Sequence, residues 1–366
     1  MNELDEIEAQ KLFYRFLFSP DEVNRIFDVK NVDDYLLKLR ANHVMDNTRL
    51  YRVMLHRARE SKGRWSFSDQ FSRREFDAFV SELSEDREIE CKSIAAGFVF
   101  SNNPNGECVR TPFGDLIVVS ESLRYFLFYM NLSFMDLGYD VPQDVRFSAL
   151  LIAMRTMLKS ETLDFDLDPR GRIPAVLEER LNVITMAQLE FVIGHEYAHH
   201  MLKHLDSAGT TVQSLFMAFR NESIADTPLV VYNYNQKQEF AADEGSLFLP
   251  IRQRERREFI FRMAALFFVY MDVFDSVQDE ILPRKPYAWR THPDAVDRIW
   301  NLFGCLPRKS RKNSLRRKIN RALRMAKDKK EHLAEGVRIS VETFETYGSF
   351  YLGQWRGPIL VDRRDY

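Results

Sequence analysis

The amino-acid sequence predicts an α+β fold that is mainly α, with a small sheet and one helix that carries an unusual share of the histidines. Three observations predict it. Apolar residues recur at three- and four-residue spacing through most of the chain. Residues 94–119 are instead rich in β-branched and aromatic residues and are interrupted by a dense turn signal. The longest charge-free runs, YFLFYMNLSFM (125–135) and MAALFFVYM (263–271), fall well short of the ~20 apolar residues of a membrane span.

Composition narrows the class. A chain of 366 residues that is 45% hydrophobic and 29% charged can bury a sizeable core, as one large domain or two modest ones. A formal net charge of -2 excludes a molecule that is a polyanion binder as a whole. The three cysteines, Cys91, Cys108 and Cys305, are odd in number and widely spaced. That pattern argues against a disulfide framework and against a thiolate metal site. The acidic start MNELDEIEAQ has no apolar segment of the secretory kind. A soluble, cytoplasmic protein with reduced thiols is the expectation.

The elements follow in order. Residues 3 to about 87 read as helices, carried by EIEAQKLFYRFLF, VDDYLLKLR and RREFDAFVSEL. IAAGFVFS (94–101) and CVRTPFGDLIVV (108–119) read as a strand each, with NNPNGE as the turn between them. ESLRYFLFYMNLSFM (121–135) is helical again. ETLDFDLDPRGRIP (161–174) reads as a polar loop. Thr185 and Gln188 have capping-box spacing, with Val183 and Ile184 before them, so a helix is expected to start there and fade near Ser207 to Gly209. From Pro307 to Lys330 the chain carries twelve Lys or Arg and one Asp, which leaves 40 basic and 53 acidic residues elsewhere. The expected organisation is a helical region over 1–90, a central domain over 91–305 and a basic helical region over 306–366.

The helix after Thr185 contains FVIGHEYAHH, three of the chain's eight histidines within six residues. One helical turn apart, His195 and His199 lie on one face with Cβ atoms about 6 Å apart. Two imidazoles so placed can share one zinc ion, and Glu196 beside the first of them can reach a water held there. Gly194 leaves room for another element to approach closely. A zinc hydrolase needs a third protein ligand, and two Glu-x-x-x-Asp pairs lie downstream. Glu222 and Asp226, in NESIAD, are followed at once by Thr-Pro, which ends a helix. Glu239 and Asp243, in QEFAAD, lie in a longer helical run with small Ala241 and Ala242, so Glu239 is the preferred ligand. The plainer readings are two satisfied core histidines and solvated acidic pairs. His200 and His204 also stand four apart but lack the glutamate, and read as surface groups or as supports behind the site.

HEYAHH, EFAAD and THPDAVDRI (291–299), in that order, resemble the gluzincin clan of zinc peptidases. Within the clan the series resembles the CAAX-prenyl-protease and heat-shock membrane-peptidase family and its soluble bacterial relatives, such as the phage-exclusion Lit-type peptidases. GFVFSNNPNGE and FGDLIVVSESL resemble the two halves of the strand segment that precedes the metal helix in that family. The resemblance covers roughly residues 94 to 300 and implies a zincin-like core. It implies His195, His199 and Glu239 as ligands of one zinc ion, Glu196 as the general base, and Asp243 as the partner that orients a ligand. It places His292 and Arg298 near the site, with His292 as an oxyanion donor. The transmembrane helices of the membrane members have no counterpart here, which argues against a prenylated or membrane substrate.

The expected activity is zinc-dependent hydrolysis of a protein or peptide by activated water, Glu196 taking the proton. His292 or a tyrosine would assist the oxyanion, and the strand 113–119 would supply an edge for an extended substrate. The alternative is a nucleic-acid- or partner-binding protein acting through the 307–330 helix, with zinc structural. There Leu315, Ile319, Ala322 and Ala326 form a narrow apolar stripe in a field of Lys and Arg. The bland version of that helix is a solvated face packed on the acidic bulk of the same chain.

Overall fold

The computed structural model describes residues 3–61, 63–101, 105–207, 209–211, 231–233, 235–281 and 293–357. The N-terminal helices are α1 (Glu3–Tyr14), α2 (Pro20–Phe27), α3 (Val32–Met45), α4 (Thr48–Glu60), α5 (Arg74–Val80) and α6 (Glu85–Lys92). Strands β1 (Ala95–Val99), β2 (Gly106–Thr111) and β3 (Gly114–Ser120) follow, then α7 (Glu121–Phe134), α8 (Gln143–Met157), α9 (Ala175–Met201) and α10 (His204–Ser207). Two short strands, β4 (Gly209–Thr211) and β5 (Val231–Asn233), precede α11 (Gln236–Phe248), α12 (Arg254–Ile281), α13 (Ala295–Cys305), α14 (Asn313–Ile339) and α15 (Glu342–Glu345). The fold is α+β and mainly helical, as the hydrophobic spacing predicts.

Local chemistry sets several helix starts. Ser19 caps α2 with Glu22 reaching back to it, and Pro20 occupies the first turn, where its missing N–H costs nothing. Asn31 and Asn47 cap α3 and α4 through their side-chain oxygens. Asn235 and Gln238 make the same reciprocal cap at α11 and so fix where the helix bearing Glu239 begins.

The sheet runs β1-β3-β2, with β1 parallel and β2 antiparallel to β3. This corrects the expected strand-turn-strand. CVRTPFGDLIVV is a hairpin, β2 to β3, turning at Thr111–Gly114 with Gly114 at φ +136. The first strand therefore crosses to pair with the third. Side chains alternate across the sheet. Ala95, Val99, Val109, Leu116 and Val118 meet Tyr35, Leu36 and Leu39 of α3. Ala96, Phe98, Cys108, Ile117 and Val119 enter the main core. Beyond β1, Arg73 and Arg40 donate to the carbonyls of Ala96 (2.9 Å) and Phe98 (2.8 Å), which occupies that edge. Because β3 is central, the expectation that 113–119 offers a free edge is overturned. The other edge strand of this sheet is β2, and β5 of a separate two-stranded sheet lies near it.

Helix α9 runs through the core, packed on α5, α7, α11 and α12. It begins at Ala175 after Pro174, ten residues before the expected start. Thr185 and Gln188 are buried in its middle and act as an interhelical polar node rather than a cap. Asn131 Nδ2 donates to Thr185 Oγ1 (3.1 Å) and Gln188 Oε1 (2.8 Å), and Tyr270 donates to Asn131 Oδ1 (2.9 Å). The helix also stops earlier than expected, at Met201, with α10 after a one-turn break.

The 161–174 segment is irregular as expected, yet its charges are buried. Arg170 is fully buried and pairs with Glu161 (2.9 Å), Asp164 (2.7 Å) and Asp168 (3.1 Å). No helix among the described residues is long and apolar enough to cross a membrane.

Candidate metal centre

The site is built where α9 and α11 approach most closely. Gly194 faces Phe79 and Ser246, and a Cβ there would lie 2.5 Å from Phe79 Cε2 and from Ser246 Oγ. One turn on, a Cβ at Gly245 would lie 2.7 Å from that of Ala198. Ser246 donates to Phe191 O (2.8 Å), fastening α11 to the backbone of α9. Only small residues permit this approach, and it delivers Glu239 of α11 to the histidine face of α9.

His195, His199 and Glu239 are all buried and offer three donor atoms to one point. The two Nε2 atoms stand 3.0 Å apart; Glu239 Oε2 lies 3.6 Å from that of His195, and Glu239 Oε1 lies 3.5 Å from that of His199. A tetrahedral zinc ion with bonds of about 2.0–2.1 Å holds its ligand atoms about 3.3 Å from one another. These spacings, with two imidazole nitrogens and a carboxylate as the donor set, fit zinc. Neutral imidazole is the form that ligates, and burial, then neighbouring His195, hold His199 far below the usual histidine range.

Each ligand histidine is fixed from behind. His195 Nδ1–H donates to Asp243 Oδ1 (2.9 Å), which turns its Nε2 to the cluster. Arg298 of α13 clamps that carboxylate with Nε to Oδ2 (2.7 Å) and Nη2 to Oδ1 (2.6 Å), and stacks over Phe268. Burial alone would lower His195, but Asp243 and Glu239 outweigh it and the net displacement is upward. His199 Nδ1 lies 3.1 Å from Nδ1 of buried His204. His200 turns away, with Nδ1 3.1 Å from Asp115 and Nε2 3.2 Å from Glu90. The expected pair His200 and His204 is thus split between surface and site.

Glu196 is buried beside the ligands, against β2. A Cβ on Gly106 would lie 3.1 Å from Glu196 Oε1 and 3.0 Å from Val192 Cγ1, so the carboxylate occupies space that a larger residue would take. Gly106 was not legible in the sequence, because what it touches is 90 residues away and no local motif marks it. His292, and the rejected pair Glu222 and Asp226, lie outside the described residues.

Two buried histidines, an adjacent glutamate and a carboxylate from a second helix, set behind a small sheet, define a metal-dependent hydrolase of the HExxH type. Residues 168–304 match the family model for peptidase family M48. That segment, which contains α9, α11 and most of α13, is a metallopeptidase domain. Among curated proteins and among solved structures, none matches the chain.

Proposed function

We propose that the chain is a zinc-dependent endopeptidase acting on an intracellular protein, with one ion held by His195, His199 and Glu239. The observation that carries this reading is the buried cluster of His195, His199 and Glu239 with Glu196 next to it. When bound there, zinc supplies a Lewis acid and brings the pKa of a ligated water towards about 7. Glu196 takes a proton from the attacking water at a carboxylate oxygen and delivers it to the leaving amine. Asp243 and Arg298 hold His195 in one tautomer, and His204 does the same for His199. His292, from its place in THPDAVDRI, remains the candidate to donate to the oxyanion.

The edge of β2, rather than that of β3, is the candidate platform for an extended substrate. Its opposite neighbour is β3, its inner end abuts Glu196, and an extended peptide adds to such an edge by backbone hydrogen bonds. Three free cysteines, two of them buried, support an intracellular setting. Glu196→Gln tests the assignment of the base. Its zinc content should equal wild type while peptide hydrolysis falls by about 10²–10⁴-fold; cleavage at the wild-type rate overturns the assignment.

A further inference from the structure

The peptidase reading leaves the basic C-terminal helix unused. Helix α14 buries Leu315, Ile319, Ala326, Leu333 and Val337, and it packs along α12. Lys329 and Lys330 lie near that seam, with Lys330 paired to Asp272 (2.5 Å) and Lys329 over the ring of Phe134. The helix is thus seated by its apolar stripe, and its opposite face is set towards solvent.

That face carries Arg316, Arg317, Lys318, Arg321, Arg324 and Lys327, all exposed. From Pro307 to Lys327 there is no acidic residue, and four more exposed basic residues stand on 308–312. Among the described residues, the ion pairs of α14 fall beyond Lys327, at Lys330 and Arg338. At 1.5 Å per residue the six cations span about 16 Å, and Arg317, Arg321 and Arg324 follow one line opposite the buried stripe. The rest of the chain is acidic, so this concentration of charge is local to one rigid surface.

The chemistry of the face selects its partner. A membrane-surface helix needs its apolar side free to enter the lipid, and here that side is buried in the protein. A protein interface is anchored by aromatic or aliphatic groups, and the only large apolar side chain exposed on this half of the helix is Met325. What remains is a straight, arginine-rich row of charge, suited to a regularly spaced polyphosphate. We propose that the outer face of α14, from Arg316 to Lys327, binds nucleic acid through its phosphate backbone without reading base sequence.

The test uses the full chain and fluorescence anisotropy with labelled DNA and RNA duplexes of about 20 base pairs, over a series of salt concentrations. Wild type should bind several unrelated sequences equally, with affinity falling steeply as salt rises. Replacing Arg317, Arg321 and Arg324 together by Gln should weaken binding by about two orders of magnitude at low salt. It should also reduce the salt slope by about 3, with the unfolding transition and zinc content unchanged. The corresponding Glu variant should abolish binding. No binding by wild type at low salt overturns the proposal, as does equal binding by a folded Gln variant. Capture by phosphatidylserine vesicles, or by an acidic polypeptide, in place of the duplexes overturns it too.

Discussion

Asp243 is the residue on which the site's geometry most depends, because it hydrogen-bonds a ligand histidine and is gripped by both arms of Arg298. Its carboxylate accepts from His195 and from both arms of Arg298, so it is held in one orientation. Asp243→Asn keeps the shape but loosens both bonds. Zinc affinity should fall by about 10–100-fold in a chelator competition, and an unchanged affinity would refute the role. The neighbouring arrangement, His204 behind His199, differs in kind, since one imidazole there supports another. His195 and His199 were legible in the sequence because helical geometry alone puts residues four apart on one face. Glu239 was legible through its spacing to Asp243 and the small residues between them. His204 was only half legible, because α9 breaks at Met201 and α10 turns it back towards His199, a change of direction that no periodicity announces.

At the scale of elements, the separation of α9 and α11 decides whether three ligands can meet. Gly194 sets that separation. In Gly194→Ala the new methyl group must displace both Phe79 and Ser246, and overpacking of this sort costs about 1–3 kcal/mol. Urea unfolding should show that loss, together with weaker zinc binding as α11 is pushed away. Stability equal to wild type would mean that the contact yields without cost. The sheet and α9 show where sequence reading stops. The hairpin turn at Thr111–Gly114 carries Pro112 and Gly114, a turn signal that a reading of CVRTPFGDLIVV as one strand passes over. The pattern Thr185-x-x-Gln188 is the same whether it caps a helix or bonds to Asn131 on another. Only the partner, 54 residues away, tells the two apart.

At the scale of the whole molecule, one hydrophobic core takes in Leu17 near the N-terminus, the sheet, α9 and Leu352 near the C-terminus. The C-terminal segment is fastened by buried charge. Arg155 donates to Thr346 O (3.0 Å), Glu161 accepts from Phe350 N (3.1 Å), and Thr162 N donates to Gly348 O (2.9 Å). Arg170 balances the three carboxylates beneath this segment. Burial pushes Glu161 up, and although burial would raise Asp164 too, Arg170 and its other partners bring it below its usual value. Arg170→Met would leave those carboxylates without their shared cation, at a cost of about 3–5 kcal/mol. Denaturant unfolding should report it, and a change under about 1 kcal/mol would contradict this account of the cluster. Nothing local foretold the burial, since DFDLDPRGR has the composition of a solvated loop.

The central claim is that His195, His199 and Glu239 together bind one ion. Metal analysis of the purified chain after zinc loading and gel filtration tests it directly, with Glu239→Ala and His199→Ala alongside. The account predicts one zinc per wild-type chain and a loss of at least about tenfold in affinity in each variant. Wild type that retains no zinc, or variants that bind it as tightly as wild type, would contradict it.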